Sequence, residues 1–247
     1  MASLAKSSHV ASALSIVDIL TVLYFHYLRI RSTDPLWIKR DRFILSKGHA
    51  SSALYATLAL AGFFPKSYLE QYYCDNGILP GHVDFTSVPG LEASAGSLGH
   101  GLSIGIGMAL ASKMDKQDNR VVVLMGDGEL NEGSVWEGIL FAPHHRLDNL
   151  TVIIDYNKWQ ACGRTNEILN LEPLLNKFIS FNWDVETIDG HCFQEITQAL
   201  EKPRSKPRVI IANTTKGKGV SFMEDDLVWH YRSPNEEELN QAMKELL

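Results

Sequence analysis

The sequence has little that would mark it for nucleic acid, a membrane or oxidising surroundings. Only three cysteines, Cys74, Cys162 and Cys192, occur in 247 residues. They are odd in number, widely spaced and form no Cys-x-x-Cys, which excludes a disulfide framework and signals no zinc or redox pair. A reducing cytoplasm is the expected setting. Surplus positive charge is also missing: 23 Lys and Arg stand against 29 Asp and Glu, a net charge of −6. A phosphate-backbone binder clusters cations, so no nucleic-acid partner is expected. Nor is there a membrane segment. Asp18 and His26 interrupt the apolar stretch Val10–Leu28, whose apolar residues recur at helical spacing, as in an amphipathic core helix. Two phosphate signatures are absent as well. No Gly-Lys-Ser/Thr loop occurs, no Gly-x-Gly-x-x-Gly follows a strand, and Gly105-Ile106-Gly107 lies inside an apolar helix.

What is present reads as strands alternating with helices. Strands are expected at 41–45, 121–125, 150–155, 183–188 and 207–214, with helices at 10–29, 50–61, 65–73, 99–114, 133–146, 171–178, about 191–202 and from Pro234 onward. Runs such as Val121–Met125 are apolar throughout, the pattern of a strand covered on both faces. The fold class is therefore α/β, a mostly parallel sheet with helices on both faces. No linker or repeat divides the chain, so 1–247 reads as one domain. The Gly- and charge-rich stretch 215–233 reads as mobile.

The segment VVVLMGDGELNEG ends a buried strand in Gly126-Asp127-Gly128. Ligands of open parallel sheets bind beyond the carboxyl ends of strands. Glycines there let the backbone turn sharply and approach a bulky group. A carboxylate with exposed backbone N–H groups suits Mg²⁺ carrying phosphates. Strand 150–155 runs into Asp155-Tyr156-Asn157-Lys158, so the Asn157 amide oxygen offers a second ligand and the Trp159 carbonyl a third. Taken alone, Gly-Asp-Gly is simply a turn; the strand-terminal Asn one βαβ unit later sharpens the reading.

GDGELNEGSVWEG with IIDYNK resembles the thiamine diphosphate motif of the transketolase family. LSKGHASSALYATLALAGFF, PGHVDFTSVPGLEASAGSLGHGLSIGIGMALA and NTTKGKGVSFMEDDLVWH are similar to further segments of that family. The likeness covers nearly the whole chain and is nearest to the N-terminal subunit of split transketolases. It implies a thiamine diphosphate-binding fold and ketol transfer from a ketose to an aldose. Mg²⁺ is the implied metal, with Ca²⁺ or Mn²⁺ as substitutes. The implied metal ligands are Asp127, Asn157 and the Trp159 carbonyl, although Trp159 stands where the family usually carries an aliphatic residue.

By the same resemblance the cofactor contacts are Gly96, Leu98, Asp127, Gly128, Glu129, Glu132, Asp155, Asn157 and Lys216. Lys216 either reaches the diphosphate or lies in a solvated loop. His9, His49, His82 and His230 would line the channel to the reactive carbon, although the loop around His9 lacks the family's glycine and proline. Glu132 and Glu137 match acids of a subunit-interface network, with helix-surface acids as the plainer reading. His100 is a packed or capping residue, His144-His145 a solvated cap and His191 a helix start. The pyrimidine-binding domain, whose glutamate activates the cofactor ring, is expected on a partner chain, the C-terminal subunit. A dimer of heterodimers acting on a sugar or sugar phosphate follows. The alternatives are the diphosphate half of a 2-oxo acid dehydrogenase or deoxyxylulose phosphate synthase, and a non-catalytic regulatory subunit.

Overall fold

Apolar runs that offer water neither face must be covered on both. The computed structural model, which describes residues 1–246, covers them so. Five strands, β1 (Arg42–Leu45), β2 (Val121–Gly126), β3 (Leu150–Tyr156), β4 (Asp184–Asp189) and β5 (Arg208–Asn213), form one sheet in the order β1-β2-β3-β5-β4. Every pairing is parallel, with Gly126 opposite Asp155 and Tyr156 opposite Asn213. The strand periodicity of two sorts the side chains. Val122, Leu124, Ile153 and Ile210 pack with residues of Val17–Val22, Ser51–Leu60 and Phe193–Glu201. Val121, Val123, Met125, Ile154 and Ile211 pack with residues of His100–Met114, Gly133–His144 and Leu174–Ser180. Each such side chain contributes roughly 1.5–3 kcal/mol by leaving water.

Parallel pairing puts every strand's carboxyl end on one edge of the sheet. That edge carries residues 46–49, 126–129, 155–159 and 214–216, which include His49, Asp127, Gly128, Glu129, Asp155, Asn157, Trp159 and Lys216 of the expected site residues. Among the described residues no helix is long and apolar enough to cross a membrane.

Three expectations need correction. The helix expected over 10–29 is broken into Val10–Leu14, Val17–Val22 and a wider turn, Leu23–Tyr27, in which Leu28 N donates to Leu23 O at 2.8 Å. The apolar stripe is real, but Ser15 turns its hydroxyl to Asp155 at 2.8 Å and the chain kinks there. The stretch at 65–73 is a 3-10 turn, Lys66–Gln71. Segment 215–233 is not a free loop. Val220, Met223 and Trp229 are buried in a small core with Ala11 and Ala242, because its apolar residues outweigh its glycines and charges.

Arg208 shows how the far edge is tied. It is fully buried at the start of β5, donating from Nη1 to the Ala199 and Lys202 carbonyls (2.7 and 2.8 Å) and from Nη2 to Asp184 at 2.6 Å. Arg208→Ala strands these acceptors, and urea unfolding should register a loss of about 3–5 kcal/mol. A loss below about 1 kcal/mol would mean the network adds no more than an exposed pair.

Candidate active site

Asp127 follows β2 directly and is buried. Its Oδ1 accepts from Gly128 N at 2.8 Å; its Oδ2 accepts from Lys158 N at 2.8 Å and Thr165 Oγ1 at 3.0 Å. Burial, with the Asp155 carboxylate nearby, still pushes its pKa up to about 7. Such a carboxylate is short of a cation. Neither flanking glycine has a positive φ, so the turn there needs no left-handed backbone. The space a Cβ would fill at Gly126 is open, with no atom within 4 Å, so glycine there leaves room for a ligand.

Asp155, one strand over, is sealed from solvent and carries four partners. Its Oδ2 accepts from Ser15, Lys47 and Asn157 Nδ2, and its Oδ1 from Thr214. Burial alone would raise its pKa, but the Lys47 ammonium against it holds it below the ordinary range. Because Asn157 gives its Nδ2 to Asp155 at 2.8 Å, its Oδ1 faces away, accepting from Trp159 N at 3.0 Å. The Asn157 oxygen is thus aimed by its neighbours. Lys47, Thr214 and Ser15 were not singled out in the sequence; Lys47 lies within Ser-Lys-Gly-His at the end of β1, which was the available signal.

The cleft beside these groups encloses about 190 Å³ and is lined by Lys47, His49, Leu98, Asp127, Asn157 and Trp159 among others. Gly128 and Glu129 also line it. Glu129 is spent on the protein: it accepts from Ser46, from Gly99 N at 2.8 Å and from Gly126 N at 3.3 Å, fastening three loops. Gly99 there has φ +81° and no room for a side chain, since a Cβ would lie 2.7 Å from Glu132 Cβ. Glu132, expected at the cofactor, is instead exposed at the start of the Gly133–His144 helix, outside the cleft lining. Glu137 is exposed on the same helix. Gly96 lies in an adjoining open groove with His82 and His100.

Four histidines from distant segments converge. The His9 ring centroid lies 5.2 Å from that of His49, 6.1 Å from His82 and 4.7 Å from His230, and His49 lies 5.8 Å from His230. His9 adopts φ +69°, a strained conformation for a side-chain-bearing residue, and its N–H donates to the His230 carbonyl at 2.9 Å. Lys216 is buried, not solvated, with Nζ 2.9 Å from His230 Nδ1. Burial, with nearby cations adding, lowers the pKa of His9 to about 4 and of His230 to about 3. His49 is lowered as well, mainly by burial. At neutral pH these rings are uncharged and can both donate and accept.

The other histidines have plainer work. His100 is exposed, with Nδ1 3.0 Å from the Leu98 carbonyl, and His144 and His145 are exposed at a helix end. His191 bridges Asp18 (2.8 Å) and Thr215 N (2.8 Å) just before the Phe193–Glu201 helix.

A parallel α/β sheet with an oxygen-lined cleft at its strand ends, beneath four converging histidines, is the architecture of a cofactor-binding domain. Similarity to known proteins agrees. The family described as "Transketolase, thiamine diphosphate binding domain" matches residues 1–246, and the chain belongs to it. It is 42% identical over 245 residues to an apulose-4-phosphate transketolase subunit of Phocaeicola vulgatus, covering 98% of this chain and 87% of that protein. It is 45% identical over 241 residues to the 6-deoxy-6-sulfo-D-fructose transketolase subunit SqwG of a Clostridium species, covering 96% and 88%. A crystal structure of transketolase from Campylobacter jejuni superposes with a TM-score of 0.94 at 33% identity, over 99% of this chain and 40% of that one. The chain thus spans about 40% of the length of the solved transketolases it matches.

The lowered histidines make stability depend on pH. As pH falls below the unfolded value of 6.5, the unfolded chain binds protons that folded His9 and His230 refuse until about 4 and 3. The stability these two histidines contribute is complete above 6.5 and is lost as pH falls toward those values, while Asp127, raised to about 7, contributes in the opposite sense. Between about pH 7 and 5 the urea midpoint of the unaltered protein should fall relative to that of His230→Asn. Parallel curves for the two proteins would contradict the assignment.

Proposed function

We propose that this chain is the diphosphate-binding subunit of a two-subunit transketolase, which moves a two-carbon ketol unit from a ketose to an aldose. The observation that carries the reading is the pairing of Asp127 and Asn157 at neighbouring strand ends below the four-histidine cluster. Two relatives of similar length whose names call them transketolase subunits support it. The pyrimidine domain would come from a partner chain, the C-terminal subunit, and a dimer of such pairs is the expected assembly. Exposed Glu132 and Glu137 suit the interface network better than a cofactor contact. The free cysteines, two of them exposed, suit a reducing cytoplasm.

The residues fit a metal–diphosphate group. Among the described residues no three His, Cys, Asp or Glu converge as a metal site. An ion here would take oxygen from Asp127, Asn157 and the Trp159 carbonyl, and its remaining ligands from phosphate, the habit of Mg²⁺. The N–H of Gly128 and the ammonium of Lys216 suit the diphosphate; Gly96, Leu98 and Asp155 would meet the rest of the cofactor. Thiamine diphosphate, when bound, supplies the carbanion-stabilising chemistry. His9, His49, His82 and His230 would hydrogen-bond the substrate hydroxyls. His9, His49 and His230, kept neutral by burial, would accept and return protons as the carbon–carbon bond breaks and forms. The cluster favours a polyhydroxylated sugar over a 2-oxo acid.

Hydroxypyruvate consumption should be followed with an aldose acceptor, thiamine diphosphate and Mg²⁺, using the chain co-purified with its partner. Turnover is expected in the complex, with about 10²-fold or greater loss in His49→Ala and none detectable in Asp127→Ala. Decarboxylation of other 2-oxo acids, such as pyruvate, with no ketol transfer to the aldose would transfer the chain to another thiamine reaction. Full cofactor binding by Asp127→Ala would sink the metal assignment.

A further inference from the structure

The loop of residues 158–165, which carries one proposed metal ligand, the Trp159 carbonyl, has almost no apolar anchor; Lys158, Ala161 and Cys162 are exposed. Polar contacts hold it. The indole Nε1 of Trp159 donates to Asp225 Oδ1 at 2.7 Å. Arg164 grips the same carboxylate with both terminal nitrogens, each at 2.7 Å, and its guanidinium stacks 3.7 Å above the Trp159 ring. Tyr231 Oη donates to the Ala161 carbonyl at 2.5 Å. Asp225 itself, at φ +59°, donates its N–H to the Lys216 carbonyl at 2.8 Å, and Lys216 Nζ meets His230 Nδ1 at 2.9 Å.

We propose that Arg164 and Asp225 are positioning residues: with the Trp159 indole they form a brace that fixes the Trp159 carbonyl at the cleft and links it to the Lys216–His230 pair. The inference rests on the reading of the cleft as a thiamine diphosphate–Mg²⁺ site. An exposed ion pair alone would do little. Here a two-pronged guanidinium–carboxylate contact, a stacked cation and an indole N–H meet on one carboxylate, and such combined contacts hold geometry. The identity of residue 159 matters for the same reason. An aliphatic side chain, which the transketolase resemblance leads one to expect there, can neither donate to Asp225 nor carry the guanidinium. Because Asp225 also holds the Lys216 backbone, the brace joins the cofactor-side loop to the segment that supplies Lys216 and His230.

Two readouts test this. The first is amide hydrogen exchange over residues 158–165 in the complex without cofactor, compared with Asp225→Asn and Arg164→Gln. The second is calorimetric titration of the same proteins with thiamine diphosphate in saturating Mg²⁺, alongside kcat at saturating cofactor. The brace predicts faster exchange in both variants and a Kd raised about fivefold, with kcat falling less than about twofold. Trp159→Phe, which keeps the stack and loses the N–H, should show a smaller rise in exchange. Unchanged exchange and Kd in both variants would overturn the brace. If the unaltered complex fails to bind thiamine diphosphate, the functional reading falls, and the positioning role falls with it. Faster exchange in the variants would then show only that these contacts hold the loop.

Discussion

The Lys47 ammonium against the Asp155 carboxylate is the contact on which the site depends. Both groups are out of reach of water, reaching each other across β2 from the ends of β1 and β3. Such a pair is poor evidence of stability, because its desolvation cost rivals its attraction. Its value is orientation. Asp155 collects Ser15, Asn157 and Thr214 as well as Lys47, so segments near residues 15, 47, 157 and 214 share one acceptor. The Asn157 amide can then point only one way. Removing either charge would leave the other buried and alone, and the oxygen cradle beside Asp127 would lose its alignment.

Charge in the cleft is arranged around that pair. Asp127 has donors on both oxygens, yet burial and the Asp155 carboxylate still push its pKa up, a penalty that a nearby cation would relieve. The imidazoles above it are kept neutral by burial and by Lys47 and Lys216. The lower part of the cleft therefore suits a cation with phosphates, and the upper part suits hydroxyl groups and proton movement. One sheet edge gives both environments because every strand runs the same way.

The strands were legible because unbroken β-branched runs admit few alternatives, and Asp127 and Asn157 were legible because they follow such runs directly. The histidines at 9, 49, 82 and 230 were legible only through resemblance; no spacing brings them together. Lys47 was hidden inside Ser-Lys-Gly-His, since its partner lies 108 residues further along the chain. Periodicity at 10–29 reported the apolar stripe correctly but carried no sign that Ser15 must turn inward. Composition misled at 215–233, where glycines and charges suggested mobility while Val220, Met223 and Trp229 anchor the segment. For Glu132, motif position gave its neighbourhood, beside Gly99, but not its exposure.

The central claim is that this strand edge holds thiamine diphosphate through a divalent ion. The most direct measurement is calorimetric titration of the co-purified complex with thiamine diphosphate, once with Mg²⁺ and once after chelation. The account predicts one binding event per copy of this chain with Mg²⁺ and none without it. Binding of equal strength in both, or in neither, would contradict it.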